Sequence, residues 1–181
     1  MRADSIAYVF ITKNNIDEYI ERIRRFDCGR PPINDVFHGL QNDCGTLIMF
    51  QDDSAENADN IIALCSYRCS NIRLNSEVIP AIEIMTFAVD SKYQDVFLED
   101  MELNGRPFLL AAYILRFCVK QIESIGVGVV QAKYIILYSY QNQKVLSFYQ
   151  RNGFTEFSAS IRSMRNTGEH DDIYSMFRVI S

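Results

Sequence analysis

The stretch from Asn142 to Phe154, which reads NQKVLSFYQRNGF, decides how the rest of the chain is interpreted. Asn142 and Tyr149 are seven residues apart, so they lie two turns apart on one face of a helix and can meet the same ligand. Glycine accepts the left-handed backbone that closes many helices, so we expect Gly153 to end a helix over Asn142–Asn152. The stretch predicts a helix that presents a tyrosine to a ligand; the alternative is that Tyr149 is a half-buried aromatic with a hydrated hydroxyl.

A long amphipathic helix and a buried strand precede this stretch. We expect the helix over Pro107 to Ser124, because proline suits the first helical turn and apolar residues recur at helical spacing. The apolar run Tyr134 to Ser139 is typical of a strand at the centre of a sheet. The strand–helix–strand stretch from Ile79 to Ser139 therefore predicts two parallel strands joined by a right-handed crossover.

The remaining segments complete one predicted domain over residues 1–181, a length that suits a single domain. The predicted order is β-α-α-β-β-β-α-β-α-β-β, which gives an α/β (α+β mixed) fold. The other predicted strands are Ile6–Ile11, Thr46–Phe50, Ile61–Ser70, Ile79–Val89, Phe154–Ser158 and Ile173–Val179. The other predicted helices are Asn14–Arg25 and Ile33–Leu40, and polar loops are expected over Asp52–Asp59 and Asn166–Asp172.

Three stretches resemble the GNAT family of N-acetyltransferases. NQKVLSFYQRNGF is similar to the family pattern of a helix that starts with Asn, carries Tyr seven residues on, and is followed by Gly-Phe. AIEIMTFAVD, from Ala81 to Asp90, resembles the strand that precedes the cofactor loop in that family. FDCGRPPINDVF, from Phe26 to Phe37, resembles a segment near the start of GNAT toxins that acetylate aminoacyl-tRNA. The resemblance implies a mixed, mostly antiparallel sheet of six to seven strands with helices on both faces.

The resemblance also implies an N-acetyltransferase that uses acetyl-CoA as co-substrate and a primary amine as acceptor. Tyr149 would protonate the leaving thiolate, and Glu83 would act as general base, unless Glu83 faces solvent on a half-exposed strand. Backbone groups of Phe87, Ala88 and Val89 would pair with the pantetheine arm. Asn142 would face the cofactor together with Tyr149.

The segment after this strand departs from the family pattern. GNAT enzymes carry glycines there, whose backbone N–H groups surround the pyrophosphate at a helix N-terminus. Here the chain reads DVFLEDMELNGRPF, from Asp95 to Phe108, and brings four acidic residues to that place. Gly105 and Arg106 are the expected replacement, because glycine allows close approach and arginine pairs with phosphate. The alternative is that the cofactor site has decayed and the domain is a binding or interaction module.

Composition narrows the function classes. The net charge of -5 argues against a protein whose main task is nucleic-acid binding, and leaves a tRNA partner open. Five cysteines in an irregular spacing do not form a disulfide framework. The sequence has neither a signal peptide nor a membrane span, so a cytoplasmic location is expected. A homodimer through an exposed strand edge is a further expectation.

Histidine chemistry receives little support from the sequence. His38 is interpreted as a helix-surface residue, and His170-Asp171-Asp172 as a polar turn rather than a metal site. No P-loop or zinc-ligand spacing occurs, so no metal is predicted. The acceptor amine stays open among a small amine, a protein lysine, an N-terminus and an aminoacyl group.

Overall fold

The computed structural model of the chain describes residues 1–39, 46–54, 60–74, 76–140, 142–157, 161–163 and 173–180. The helices are α1 (Ile20–Ile23), α2 (Pro31–His38), α3 (Leu110–Ile125) and α4 (Gln143–Arg151). The first strands are β1 (Ile6–Ile11), β2 (Thr46–Asp52), β3 (Ile61–Leu74), β4 (Glu77–Val89), β5 (Phe97–Leu103) and β6 (Arg106–Leu109). The later strands are β7 (Tyr134–Tyr140), β8 (Thr155–Glu156), β9 (Ile161–Ser163) and β10 (Ile173–Val179). Short 3-10 turns cover Ala3–Ser5, Ile16–Glu18 and Ser91–Tyr93, and a π-helical turn covers Gly126–Val130.

Eight of the ten strands in the described residues form one mixed sheet, and β5 and β6 form a separate two-stranded sheet. The main path of the mixed sheet follows the order β1-β2-β3-β4-β7-β10-β8, and β9 pairs with β3. β4 and β7 are parallel, with Ala81–Ile84 opposite Tyr134–Leu137, whereas β7 and β10 are antiparallel, as are β1 and β2. The predicted fold class, a mixed and mostly antiparallel sheet with helices, is confirmed, as is the parallel pairing of the two strands on either side of the long helix.

The chain forms two compact units. The first comprises Met1–Ser66 and Thr86–Leu115, and the second comprises Tyr67–Met85 and Arg116–Ser181. In the first unit, residues of β1, β2 and the short helices form one apolar cluster, in which Ile11, Ile23 and Phe37 are fully buried. In the second unit, Ile72, Ala81 and Ile136 form another, with aromatic residues packed around them. The assignment of residues 1–181 to a single acyltransferase domain stays a prediction.

Several boundaries differ from those predicted. The predicted helix Asn14–Arg25 is replaced by a 3-10 turn and the four-residue α1, because the Asn15 side chain accepts a hydrogen bond from Thr12 N and donates one to Phe10 O. Such local side-chain bonds compete with helix formation. Helix α2 starts two residues early, at Pro31, where proline fits the first turn. Of the strand predicted over Phe154–Ser158, the described residues 154–157 contain β8 (Thr155–Glu156), and Ser158 lies outside the described residues.

The largest difference lies between β4 and α3. The predicted helix start at Pro107 is wrong: Pro107 lies in β6, and the helix begins at Leu110. β5 and β6 form an antiparallel hairpin there, with a register shift between Leu98 and Glu102. The predicted loop at Asn166–Asp172, including His170, lies outside the described residues.

Candidate active site

Helix α4 is capped as its sequence predicts. Asn142 is the N-cap, and its Oδ1 accepts hydrogen bonds from Lys144 N at 3.0 Å and Val145 N at 3.3 Å. These bonds satisfy two of the donors that the first turn of a helix leaves without a partner. Gly153 follows the helix with φ +86°, the left-handed conformation that the sequence predicts. The amide oxygen of Asn142 is thus engaged by the helix itself, and a role for Asn142 in cofactor binding stays a prediction.

Tyr149 lies in the last turn of α4 and is 8% exposed. Its ring packs edge-to-face between Phe148 and Phe154, with centroids 5.4 Å and 5.9 Å away. Its main-chain oxygen accepts hydrogen bonds from Asn152 N and Phe154 N. The ring of Tyr149 is therefore buried rather than half-buried, packed among aromatic neighbours and joined to the turn that follows it, and its role toward a ligand stays a prediction.

Glu83 is a buried carboxylate in β4, only 1% exposed, so the alternative of a solvent-facing glutamate is wrong. Its Oε2 accepts hydrogen bonds from Nε of Arg68 at 3.1 Å and from Nη2 at 3.0 Å. Arg68 lies in β3 and its side chain is 40% exposed, so one guanidinium joins a buried carboxylate to the surface. Charge-assisted hydrogen bonds of this kind are shorter and stronger than those between neutral groups.

The sequence analysis did not single out Arg68. The only signal is an arginine that follows a run of apolar residues in β3. Glu83, by contrast, stands between Ile82 and Ile84 in β4, and all three side chains are buried. Strand alternation alone therefore does not indicate which face of the sheet Glu83 occupies.

The predicted cofactor strand ends in a dense set of hydrogen bonds within the first unit. Gln94 Nε2 donates to Val89 O at 3.1 Å and to Cys28 O at 2.9 Å. Asp90 N donates to Ile62 O, and the Asp90 carboxylate accepts from Lys92 N at 3.0 Å. The carbonyl of Val89 is therefore already engaged, and backbone pairing with a pantetheine arm at Phe87 and Ala88 stays a prediction.

The Phe26–Phe37 segment is attached to the end of this strand. Ser91 N donates to Asp27 O at 2.9 Å, and Asp27 N donates to the Asp90 carboxylate at 3.3 Å. Hydrogen bonds to the Asp27 carboxylate from the Asn34 amide and Gly29 N–H lower the pKa of Asp27. Burial raises the pKa of the Cys28 thiol, so the thiol stays neutral.

Gly105 and Arg106 lie at the tip of the β5–β6 hairpin and are exposed. Asn104 and Gly105 have φ of +54° and +71°, as in the tight turn that Asn-Gly favours between two strands. Arg106 pairs with Leu103 across the hairpin, four residues before α3 begins. Their role in phosphate binding stays a prediction.

Two acidic side chains of β5, those of Glu99 and Asp100, have partners in the first residues of the chain. Glu99 accepts from the Met1 amino group at 2.7 Å, and Glu99 N donates to Met1 O. The Asp100 carboxylate accepts from Ala3 N at 3.0 Å. The negative charge that the sequence places near a phosphate site is thus directed, at these two residues, toward the segment that precedes β1.

Solved structures resemble this fold over nearly its whole length. The toxin AtaT, in a tyrosine-to-phenylalanine mutant bound to acetyl-CoA and the C-terminus of antitoxin AtaR, is 14% identical, with 98% of this chain and 94% of that chain covered and a TM-score of 0.65. AtaT complexed with acetyl-methionyl-tRNAfMet is 16% identical, with 96% of this chain and 94% of that chain covered and a TM-score of 0.64. A chain of the NatC complex bound to Gag peptide and CoA is 14% identical, with 100% of both chains covered and a TM-score of 0.57.

The chain has the GNAT fold. No protein-family model and no curated protein sequence matches it. The likeness to the GNAT structures therefore concerns the arrangement of the backbone.

The predicted site residues are divided between the two compact units. Glu83, Asn142 and Tyr149 belong to the second unit, and the predicted cofactor-binding residues Phe87–Val89 and Gly105–Arg106 belong to the first. Among the described residues, no group of three His, Cys, Asp or Glu side chains is arranged to hold a metal ion. None of the described helices is long and apolar enough to cross a membrane.

Proposed function

We propose that the protein is an N-acyltransferase that transfers an acetyl group from acetyl-CoA to a primary amine. The observation that carries the proposal is the GNAT fold together with a capped α4 that holds Tyr149. Solved structures of similar fold include proteins bound to acetyl-CoA or CoA, which supports the choice of co-substrate.

Each proposed catalytic residue has one role. Glu83, directly or through a water molecule, removes a proton from the amine, whose lone pair then attacks the thioester carbonyl carbon. A backbone N–H near Val89 stabilises the oxyanion. The C–N bond forms, the C–S bond breaks, and Tyr149 gives its proton to the leaving thiolate.

The hairpin tip at Gly105 and Arg106 is the proposed phosphate site, because glycine allows close approach of the backbone and arginine pairs with phosphate. Both residues are exposed, and α3 begins four residues after Arg106. Arg106→Ala should lower the affinity for acetyl-CoA about tenfold or more. Retained affinity would remove Arg106 from the phosphate site.

Thermal denaturation with acetyl-CoA tests the proposal as a whole. A ligand that binds only the folded state stabilises it by about 2.7 kcal/mol at 100 times its Kd, which gives a clear rise in Tm. Tyr149→Phe should keep this rise and lower kcat strongly. The absence of any rise at millimolar acetyl-CoA would instead favour the non-catalytic interaction module.

An uneven distribution of charge supports a polyanionic acceptor such as aminoacyl-tRNA. The first unit has eight Lys or Arg and sixteen Asp or Glu, a net charge of −8, whereas the second has ten and seven, a net charge of +3. The net negative charge of the chain thus comes from the first unit, whereas the second unit, which contains Glu83 and Tyr149, is basic. A GNAT-fold toxin of similar structure is complexed with acetyl-methionyl-tRNAfMet.

Salt dependence separates a tRNA acceptor from a peptide N-terminus. Acetylation of aminoacyl-tRNA should fall steeply between about 50 and 200 mM salt, whereas acetylation of a neutral peptide should not. Lys120→Glu in the second unit should weaken the tRNA reaction more than the matched change Lys13→Glu in the first; both lysines are exposed. A salt-independent reaction, or a preference for the peptide, would remove tRNA as the acceptor.

A further inference from the structure

Asn152, which follows α4, uses its main-chain and side-chain groups to close the end of the helix. It is 8% exposed. Its main-chain N–H donates to Tyr149 O at 3.0 Å, and its Nδ2 donates to Phe148 O at 2.9 Å. The last carbonyls of a helix lack intrahelical donors, so these two bonds cap the turn that contains Tyr149.

Two arginines hold Asn152 from other elements of the same unit. Arg116 of α3 donates from Nε to Asn152 Oδ1 at 3.2 Å, and Arg178 of β10 donates from Nη1 to Asn152 O at 3.2 Å. Nε of Arg178 also donates to Glu123 of α3 at 3.2 Å. Cations are favoured at a helix C-terminus, so both arginines reinforce the end of α4.

Gly153 makes room for this arrangement. A Cβ at residue 153 would overlap Nη1 of Arg178, so any other residue there would require the guanidinium to shift from its place beside the carbonyl of Asn152. The Asn-Gly pair after α4 is thus the point at which hydrogen bonds connect α4 with α3 and β10. The sequence indicates a helix stop there, and gives no indication of its partners.

We propose that Asn152, held by Arg116 and Arg178, is a positioning residue that fixes the ring of Tyr149, on whose catalytic role in the proposed function this inference rests. Asn152 acts through hydrogen bonds to the backbone of the turn that carries Tyr149 and does not touch the reacting atoms. Loss of these hydrogen bonds would move Tyr149, the proposed proton donor, relative to the thioester sulfur. Displacement of a catalytic group lowers turnover more than it lowers ground-state affinity.

Tyrosine-labelled NMR spectra give a structural readout that does not depend on activity. Protein with ¹³C-labelled tyrosine rings is compared with Tyr149→Phe to assign the Tyr149 signals. Asn152→Ala and the milder Arg178→Lys should shift or broaden those signals. The control is Arg151→Lys, also at the end of α4, whose exposed side chain bonds only back to Ser147 O in the described set and should leave the Tyr149 signals unchanged.

Kinetics with acetyl-CoA complete the test. In Asn152→Ala and Arg178→Lys, kcat should fall about tenfold while KM for acetyl-CoA changes less than about twofold. Unchanged Tyr149 signals in both variants, or a loss of activity that only follows the folded fraction, would overturn the positioning role. A wild-type protein that neither binds acetyl-CoA nor transfers acetyl would overturn the proposed function, and the NMR spectra would still decide whether Asn152 holds Tyr149.

Discussion

Two segments of the GNAT fold, Asn142–Phe154 in the second unit and Asp95–Leu109 in the first, differ in how far local sequence determines their structure. The first is a helix with an N-cap and a left-handed glycine, and both signals lie within the segment. The second is a hairpin of two strands that, among the described residues, pair with each other and with no other strand. The comparison indicates that sequence predicts a segment well where its structural signals lie within the segment, and poorly where its strands depend on pairing.

One glycine in each of these two segments has a left-handed backbone, and the two glycines differ in their surroundings. Gly153 and Gly105 both have left-handed backbones, with φ of +86° and +71°. Around Gly153 the space of a side chain is taken by the guanidinium of Arg178, whereas a Cβ at Gly105 would meet nothing within 4 Å. Substitution at both positions therefore separates backbone strain from packing.

Gly153→Ala should have the largest effect on stability. Left-handed backbone costs a non-glycine residue about 1–2 kcal/mol, and a shift of the partly exposed Arg178 guanidinium weakens hydrogen bonds worth about 0.5–1.5 kcal/mol, so we expect a loss of about 1.5–3.5 kcal/mol. Urea denaturation measures it. Gly128→Ala is the control, because a Cβ there meets nothing within 4 Å, and it should change stability by less than about 0.5 kcal/mol. Equal effects at Gly153 and Gly128 would contradict the packing described for Arg178.

Arg68→Met should have the next largest effect, because it leaves the buried Glu83 carboxylate without its guanidinium. Breaking a buried pair from one side is costly, but Arg68 is partly exposed, so we expect a loss of about 1–3 kcal/mol. In a Glu83→Gln background the same change should cost less. A double-mutant cycle by urea denaturation measures the coupling. Additive effects would mean that the two side chains do not depend on each other.

Sequence reasoning recovers the parts of the fold that depend on local patterns. β1 and β10 have the predicted bounds, and each end of α4 lies within one residue of its predicted position. These elements are recovered because apolar runs and helix caps are local signals. Sequence reasoning does not recover the hairpin although Asn104-Gly105 is a strong turn signal, because it interprets Gly105 as a phosphate-binding residue and Pro107 as the start of a helix. The Arg68–Glu83 pair was missed because it depends on how β3 and β4 align, which neither strand's sequence contains.

Gly105→Ala sharpens the comparison of the two glycines. It keeps the open surroundings of the hairpin tip and adds only backbone strain, so we expect a loss of about 1 kcal/mol. Urea denaturation beside Gly153→Ala measures the difference between the two. If Gly105→Ala costs as much as Gly153→Ala, left-handed strain alone explains both and the guanidinium contributes nothing. If Gly105→Ala also abolishes a thermal shift by acetyl-CoA, the hairpin tip takes part in binding.

Asp27→Asn should have the smallest effect, and one that depends on pH. The Asn34 amide and the Gly29 N–H lower the pKa of Asp27 in the folded protein below the value of about 3.9 for an unfolded chain. A lowered folded pKa contributes stability that is fully present above the unfolded pKa and is lost as pH falls through the folded pKa. The difference between wild type and Asp27→Asn in urea denaturation should therefore be largest near pH 6 and vanish in strong acid. In an Asn34→Ala background the difference at pH 6 should shrink, because the principal donor is gone. A difference that does not vary with pH would mean that the carboxylate charge of Asp27 does not help to hold the Phe26–Phe37 segment, and that its main-chain bonds to Asp90 and Ser91 are sufficient.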